Sequence, residues 1–263
     1  MKQSMKVIIG IMFICMSVLF LSAADITADK DSDPGTTITV SAAASLTEAF
    51  DELVSEFENE NPDINVELNL ASSGSLRMQI EAGAPIDVFA SASEKHMDVL
   101  DSKGMIDNSS RADFATNSLV LVVPGTSDAA ITNINDLTNS EVKKLTIGHP
   151  DTVPVGKYAK QSLTEAGIWE EVESKIIFAE HVKQALTYVE TGEVDAGFVY
   201  MTDFENSGSG NINLVCKAPL SSEIIYPIAV VESSENKEEA NRFVDFVTGE
   251  KGQMILHSYG FSC

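Results

Sequence analysis

The sequence predicts an α/β protein with mostly parallel sheets and helices on both faces. Apolar, β-branched segments alternate with segments whose apolar residues recur every three or four positions, which is typical of strands followed by helices. The length of 263 residues fits two domains of ordinary size. Neither an internal repeat nor a low-complexity tract interrupts the alternation.

The first half of the chain contains three strand–helix units and a further apolar strand. The predicted strands cover residues 37–42, 66–70, 86–90 and 117–125. The helices predicted after the first three strands cover residues 46–57, 76–83 and 94–102. Glycines at 83 and 104 are typical of the end of a helix.

The second half continues the same alternation. Strands are predicted at 145–148, 175–178, 196–201 and 227–231. Helices are predicted from about residue 154, over 182–192 and over 240–247. Because parallel strands joined by helices place their carboxyl ends at one edge of a sheet, a ligand is expected at the turns that follow the strands.

The first residues are typical of a secretory signal. Two lysines, Lys2 and Lys6, precede an apolar stretch at 7–21, and small residues follow up to Ala24. We therefore expect a signal peptide at 1–24, with an uncleaved membrane anchor as the alternative. Lipid attachment at Cys15 is the weaker option, since no small residue stands just before it. Either way, the body of the protein is expected in the periplasm or at the outer face of the cell membrane.

The following residues and the charge narrow the class of partner. Residues 25–35 are polar and acidic without a pattern, and are expected to form a disordered tether. The net charge of −23 argues against nucleic acid as a partner, since that binding needs cationic groups. Cys216 and Cys263 are the two cysteines after the signal, and outside the cytoplasm they could form one disulfide.

Four strand-to-helix turns are built from small residues or begin a helix. They hold Ser45, the serines around Gly74, the Pro154-Val155-Gly156 turn, and Val182. Glu48 follows Ser45 by three residues, which predicts a capping box at that helix start. Helix amino termini expose unpaired N–H groups, so several of them together would hold an anion without any lysine or arginine. Each turn taken alone is equally compatible with a structural role.

Several motifs resemble those of one family. The matching stretches are TVSAAASLTEAFDEL, ASSGSLRMQIEAGAPIDVFASAS, NSLVLVVPG, DTVPVGKYAKQSL, VKQALTYVETGEVDAGFVY, YPIAVVE and SYGF. In sequence, order and extent they are similar to the molybdate-binding proteins (ModA) of bacterial and archaeal ABC importers. The resemblance runs from about Thr36 to Phe261, which is nearly all of the chain after the signal.

This resemblance implies a two-lobed periplasmic binding protein of class II topology. The first lobe would comprise 36–117 and 228–263, and the second 118–227. Two crossing strands near 118–124 and 225–231 would form the hinge. The resemblance also implies a monomer that captures molybdate, and tungstate with it, and delivers it to the membrane permease of an ABC importer.

The resemblance also implies the site. Two serines, a tyrosine and two main-chain N–H groups would hold the oxyanion, at Ser45, Ser73, Tyr200, Val155 and Val182. Any contact with the metal atom would pass through the oxyanion oxygens only, and no cofactor is expected. Some archaeal relatives complete a metal shell with two carboxylates, which makes Asp151 and Glu180 the alternative.

Two other functions compete with molybdate capture. The first is the binding of another small oxyanion or of a carboxylate. The second, less favoured, is a serine hydrolase, which would need a base near its nucleophile and usually a GxSxG turn that this sequence lacks. We therefore expect a binding protein and not an enzyme.

Overall fold

The computed structural model describes residues 35–127, 130–208 and 210–262. The predicted signal peptide, nearly all of the predicted tether and Cys263 lie outside these residues. The described chain forms two five-stranded sheets with helices against both. The α/β, two-lobed fold class predicted from the sequence is confirmed.

The ten strands follow the chain in order. They are β1 (Thr36–Ala43), β2 (Ile64–Ala71), β3 (Val88–Ala90), β4 (Ala112–Asn117), β5 (Leu119–Pro124), β6 (Leu145–Gly148), β7 (Ile176–Ala179), β8 (Ala196–Tyr200), β9 (Ile212–Lys217) and β10 (Ile224–Val230). The first sheet has the order β2-β1-β3-β10-β4, and the second has the order β7-β6-β8-β5-β9. The two orders are alike, because in each sheet the fourth strand, β10 or β5, is the one that the chain reaches by crossing from the other sheet.

Nine α-helices connect these strands within the described residues. They are α1 (Thr47–Glu60), α2 (Ser73–Glu81), α3 (Glu94–Ser102), α4 (Pro154–Glu165), α5 (Trp169–Val172), α6 (Val182–Glu190), α7 (Met201–Glu205), α8 (Lys237–Thr248) and α9 (Glu250–Ser258). Short 3-10 turns occur as well, and the one at Ala44–Leu46 joins β1 to α1. We call the first sheet with α1, α2, α3, α8 and α9 lobe 1, and the second sheet with α4 to α7 lobe 2.

Both sheets are mixed, which differs from the mostly parallel sheets predicted. Strand β1 is parallel to β2 and β3, whereas β10 runs antiparallel to β3 and β4. In the second sheet β6 is parallel to β7 and β8, whereas β5 runs antiparallel to β8 and β9. The antiparallel pairs all involve β5 or β10, because these strands enter their sheets directly from the other lobe and not through a crossover helix.

The chain passes between the lobes twice. It leaves the first sheet after Asn117 and enters the second at Leu119, so Ser118 alone separates β4 from β5. It returns between Lys217 and Ile224, where β10 joins the first sheet. These two crossings lie side by side at the base of the lobes, where a rotation of one lobe against the other requires the fewest changes in the backbone.

Lobe 1 buries helices on both sides of its sheet. On one side α1 contributes Phe50, Leu53 and Phe57, which are buried at helical spacing and pack with Phe243 of α8. On the other side Leu76 and Met97 of α2 and α3 belong to a second, smaller apolar cluster. This packing fixes the carboxyl ends of β1 and β2, and therefore the turns that follow them.

Two further findings concern the boundaries of the protein. Cys216 is a free cysteine in β9, so the described chain gives no support to a disulfide at that position. Within the described ranges, each helix is too short or too polar to cross a membrane.

Candidate functional site

A small cavity lies where the two lobes meet. The cavity volume is about 10 Å³, and the empty space in and around the cavity, open solvent included, is about 210 Å³. The lining residues come from the turns after the strands of both lobes: Ala43, Ala44, Ser45, Ser72, Ser73, Ala92, Val153, Pro154, Val155, His181, Val182 and Tyr200. All five residues predicted to hold the oxyanion are among them, so the structure brings together residues that lie up to 155 positions apart.

Ser45 lies in the 3-10 turn that follows β1. Ser45 is 5 % exposed, and its hydroxyl lies 3.1 Å from the Tyr226 hydroxyl. The predicted capping box is wrong, because α1 begins after Leu46 without a side-chain cap and Glu48 pairs elsewhere. The Ser45 hydroxyl is hydrogen-bonded to Tyr226, which is distant in sequence, and not to the start of the helix. The Ser45 side chain therefore belongs to the cavity wall and not to a helix cap.

Ser73 is the first residue of α2. Its neighbour Ser72 is the N-cap, and the Ser72 Oγ accepts a hydrogen bond from the Ser75 N–H at 3.3 Å. Ser73 itself is fully buried, and its Oγ accepts from the Ala92 N–H at 3.0 Å. Because Ser72 caps the helix and the Ser73 oxygen acts as an acceptor, the Ser73 hydroxyl hydrogen is free to point into the cavity.

Val155 is the second residue of α4, after Pro154 at the first helical position. The N–H groups of a first helical turn have no carbonyl partner within the helix, and none is recorded for Val155 among the described residues. The turn sits close to β6, because a Cβ on Gly156 would lie 1.8 Å from the Gly148 carbonyl oxygen. Only glycine at 156 permits this approach, which carries the Val155 N–H to the cavity.

Val182 begins α6 and provides the second main-chain donor. The N-cap is His181, whose Nδ1 accepts from the Gln184 N–H at 3.2 Å. Neither Ser45 nor Ser73 has a histidine partner among the residues described here, and the arrangement therefore lacks the base of a serine hydrolase.

Tyr200 ends β8 and lies over the cavity. Its side chain is 1 % exposed, and its hydroxyl has no hydrogen-bond partner in the part of the chain that the structure describes. Burial raises the pKa of Tyr200 well above its ordinary value, so the hydroxyl keeps its proton. A buried hydroxyl without a partner costs about 1–3 kcal/mol, and an acceptor inside the cavity would remove this penalty.

The lobes touch on two sides of the cavity. The Gly74 N–H of lobe 1 donates to the Thr152 carbonyl of lobe 2 at 2.9 Å, and a Cβ on Gly74 would lie 2.4 Å from that oxygen. On the other side, Lys183 of α6 forms ion pairs with Glu48 of lobe 1 at 2.7 Å and with the buried Asp203 of lobe 2 at 3.0 Å. These contacts hold the cavity walls together.

The cavity is lined by uncharged groups. None of the described lining residues is an Asp, Glu, Lys or Arg. Hydroxyl and N–H groups thus face a space that contains no fixed charge, and such a set suits a ligand made entirely of acceptors. Asp151 is not among the lining residues, and Glu180 lines a separate groove with Phe178. No cluster of three metal-ligating side chains occurs in the described ranges.

Two residues behind the cavity were not predicted. Tyr226 of β10 contacts Ser45, and Asn117 at the end of β4 donates to the Tyr226 hydroxyl at 3.3 Å. Tyr226 lies in a strand that looks like ordinary core in the sequence, and Asn117 ends a strand that mixes polar and apolar residues. The one available signal was a tyrosine among the aliphatic residues of IIYPIAV, whose hydroxyl needs a partner once it is buried.

Two relatives are similar to this protein along most of the chain. The putative ABC transporter substrate-binding lipoprotein YvgL of Bacillus subtilis is 37% identical over 95% of this chain and 96% of its own. The molybdate-binding protein ModA of Escherichia coli is 39% identical over 86% of this chain and 88% of its own.

Solved structures agree with the sequence relatives. The substrate-binding domain of a putative molybdenum ABC transporter from Clostridium difficile superposes with a TM-score of 0.66 at 36% identity, over 87% of this chain and 99% of that one. The periplasmic molybdate-binding protein of Azotobacter vinelandii gives 0.75 at 24% identity, over 86% and 99%, and supports the fold alone. The sequence profile of bacterial extracellular solute-binding proteins matches residues 38–262. The chain therefore belongs to the family of bacterial extracellular solute-binding proteins.

Proposed function

We propose that this protein captures molybdate, and tungstate with it, outside the cytoplasm and delivers the anion to the membrane permease of an ABC importer. The observation that carries the proposal is the convergence of five uncharged donors on one cavity between two lobes. They are the hydroxyls of Ser45, Ser73 and Tyr200 and the N–H groups of Val155 and Val182.

The chemistry of the ligand matches these donors. Molybdate near neutral pH is a dianion with four acceptor oxygens and no proton, so every hydrogen bond it receives is charge-assisted. Among the described residues, the Tyr200 hydroxyl and the N–H groups of Val155 and Val182 are donors without a hydrogen-bond partner. Helix amino termini add partial positive charge, which compensates the dianion without a lysine or arginine in the wall.

Selection among oxyanions would rest on protons and on size. Hydrogen phosphate carries a hydroxyl that needs an acceptor, and the five donors offer none. Sulfate has the charge and shape of molybdate but is smaller, so a rigid cavity leaves some of its oxygens too far from their donors. Molybdate and tungstate are nearly equal in size, and we propose that both bind.

Capture would proceed by closure of the lobes. The anion first meets the serines of lobe 1, and lobe 2 then brings its two N–H groups and Tyr200 over it. The contacts of Gly74 with Thr152 and of Glu48 with Lys183 exist only when the lobes approach. We propose that the closed monomer is the form that the permease recognises, and that the Val155, Val182 and Tyr200 contacts favour it once the anion is bound.

The named relatives support this ligand and this setting. The Escherichia coli and Haemophilus influenzae relatives, at 39% and 32% identity, are named molybdate-binding proteins. The Bacillus subtilis relative is named a substrate-binding lipoprotein of an ABC transporter. We accordingly propose that the protein acts in the periplasm or at the outer face of the membrane, and that the predicted signal peptide at 1–24 directs it there.

Isothermal titration calorimetry tests the proposal directly. The purified protein is titrated with molybdate, tungstate, sulfate and phosphate at one pH and ionic strength. We expect tight, stoichiometric binding of molybdate and tungstate, with sulfate and phosphate weaker by about 100-fold or more. Tight binding of sulfate, phosphate or a small carboxylate without molybdate binding would instead establish the alternative of another anion-binding protein.

A further inference from the structure

A chain of hydrogen bonds runs behind Ser45, away from the cavity. The Ser45 and Tyr226 hydroxyls lie 3.1 Å apart, and Asn117 Nδ2 lies 3.3 Å from the Tyr226 hydroxyl. The same Nδ2 donates to Thr202 Oγ1 of lobe 2 at 2.9 Å. Tyr226 is fully buried and does not line the cavity. These hydrogen bonds therefore connect Ser45, which lines the cavity, to the crossing between the lobes.

The donor and the acceptor of each hydrogen bond can be assigned by starting from Asn117. Asn117 Oδ1 accepts from the Ser118 N–H at 2.8 Å, which orients the amide so that Nδ2 faces Tyr226 and Thr202. An amide nitrogen is only a donor, so the Tyr226 oxygen accepts from it. Burial raises the pKa of Tyr226 far above its ordinary value, so its oxygen also carries a hydrogen. Either oxygen of the Ser45–Tyr226 pair could donate, and because the Tyr226 oxygen already accepts from Asn117, we assign the Tyr226 hydrogen to the Ser45 Oγ.

Ser45 is therefore held as an acceptor on its inner side. A hydroxyl has one hydrogen, and since the Tyr226 hydroxyl donates to Ser45, the Ser45 hydrogen is left for the cavity. Ser73 has the same arrangement, because its Oγ accepts from the Ala92 N–H. Because the bond to Tyr226 holds one lone pair of the Ser45 oxygen, the hydroxyl cannot rotate freely to accept from a ligand hydroxyl, and its hydrogen stays directed at the cavity.

We propose that Tyr226 is a specificity-determining positioning residue that fixes Ser45 as a donor and thereby discriminates against oxyanions that carry a proton. The inference rests on the proposed function and adds a residue that does not touch the ligand. The Tyr226 ring is held by edge contacts with Phe114, Tyr200 and Phe261, at centroid distances of 6.3, 5.8 and 5.5 Å. These contacts keep its hydroxyl pointed at Ser45.

The discriminating ligand pair is molybdate and arsenate. Arsenate at pH 8 is a tetrahedral dianion that retains one proton, and it is closer in size to molybdate than phosphate is. Tyr226→Phe removes one oxygen and keeps the ring packing. Without the Tyr226 hydroxyl, the Ser45 hydroxyl is free to rotate, so it can accept from a ligand hydroxyl while its own hydrogen donates to another ligand oxygen, and proton-bearing ligands lose their disadvantage.

The experiment measures molybdate affinity by calorimetry and arsenate affinity by competition, in the wild-type protein and in Tyr226→Phe. We expect molybdate binding to weaken about 5- to 10-fold, because a hydrogen bond that polarises Ser45 is lost. We expect arsenate binding to stay equal or tighten, so the molybdate-to-arsenate preference falls about 10-fold. Tyr259→Phe is the matched control, since it removes a tyrosine hydroxyl that donates to Glu52 at 2.8 Å, away from the cavity.

A double-mutant cycle separates positioning from a general loss of structure. If Tyr226 acts through Ser45, then Tyr226→Phe has little effect on molybdate affinity in a Ser45→Ala background. Additive losses, an unchanged ligand preference, or arsenate that competes with neither protein would overturn the inference. Failure of the wild-type protein to bind molybdate would instead reject the proposed function, so the two failures are distinguishable.

Discussion

The two lobes supply the cavity with donors of different kinds. Lobe 1 contributes the side-chain hydroxyls of Ser45 and Ser73, and each oxygen already has a partner on its inner side. Lobe 2 contributes two main-chain N–H groups at helix starts and the Tyr200 hydroxyl, which have no such partner among the described residues. We therefore propose that the half provided by lobe 1 is ordered before the ligand arrives, and that the half provided by lobe 2 gains its partners from the ligand.

This difference indicates where each lobe is sensitive to substitution. A hydroxyl donor disappears when its serine is replaced, whereas a main-chain donor remains whatever side chain the residue carries. We therefore expect the affinity to depend on which side chains stand at Ser45 and Ser73 in lobe 1, and on where α4 and α6 are positioned in lobe 2. The predictions below test this contrast.

The largest effect is expected from Ser45→Ala combined with Ser73→Ala. Each change removes a hydrogen bond to a charged ligand, worth about 1.5–3 kcal/mol, so molybdate affinity should fall by about 100-fold or more in calorimetry. Ser41→Ala is the control, because Ser41 is fully buried in β1 and accepts from Asn69 without lining the cavity. A double variant that binds within about 5-fold of the wild type would remove lobe 1 from the site.

The second effect concerns contact between the lobes. In Gly74→Ala the new Cβ would lie 2.4 Å from the Thr152 carbonyl oxygen, so closure should be hindered. Overpacking of this kind costs about 1–3 kcal/mol, and we expect affinity to fall about 10- to 50-fold with faster ligand release in stopped-flow measurements. Thr152→Ala should bind normally, because the contact uses its main chain. Normal release from Gly74→Ala would show that the lobes need not meet here.

The sequence predicts the residues of the cavity better than the residues that support them. Ser45, Ser73, Val155 and Val182 occur in short turns where small residues, a proline or a helix start are visible locally. Tyr226 could not be predicted, because its role depends on a partner 181 positions away in the chain. Its strand reads as ordinary core, and only the fold places its hydroxyl behind Ser45.

The errors have the same origin in tertiary contacts. The S-x-x-E pattern at Ser45 and Glu48 is that of a capping box. In the structure, however, Ser45 forms a hydrogen bond with Tyr226 and Glu48 forms an ion pair with Lys183. Strands β4 and β9 were missed, because they mix polar and apolar residues and lie at sheet edges, where one side is exposed. Edge position alone does not explain these errors, because β2 and β7 also lie at sheet edges and their apolar patterns predicted them.

A third prediction separates the two carboxylates that pair with Lys183. Glu48→Gln removes the pair between the lobes, whose glutamate is 42% exposed, and should weaken molybdate binding about 2- to 5-fold at low salt and less at high salt. Lys183→Met should also lower the thermal stability, because it leaves the Asp203 side chain, which is 0% exposed, without its cation. Equal losses of stability in both variants would contradict this division.

A fourth prediction is the counterpart of the serine experiment in lobe 2. Val155→Ala and Val182→Ala keep the main-chain donors, so molybdate affinity should stay within about 2-fold of the wild type. Both valines are buried, at 0% and 4% exposure, so unfolding should require about 1–3 kcal/mol less free energy in denaturant titrations. Loss of affinity without loss of stability would indicate that the side chains themselves contact the ligand.

The smallest effect is expected from alkaline pH. Ionised Tyr200 would lose its donor and add negative charge beside a dianion, so affinity would fall as pH rises through the Tyr200 pKa. Burial raises that pKa well above its ordinary value of about 10, and molybdate affinity should therefore stay constant from about pH 7 to 9.5. Tyr200→Phe should bind more weakly with an equally flat profile. The contrary result would be a fall in wild-type affinity with a midpoint below about pH 10 that Tyr200→Phe abolishes. It would mean that Tyr200 is more accessible to water than its burial implies, and that lobe 2 is ordered less tightly than lobe 1.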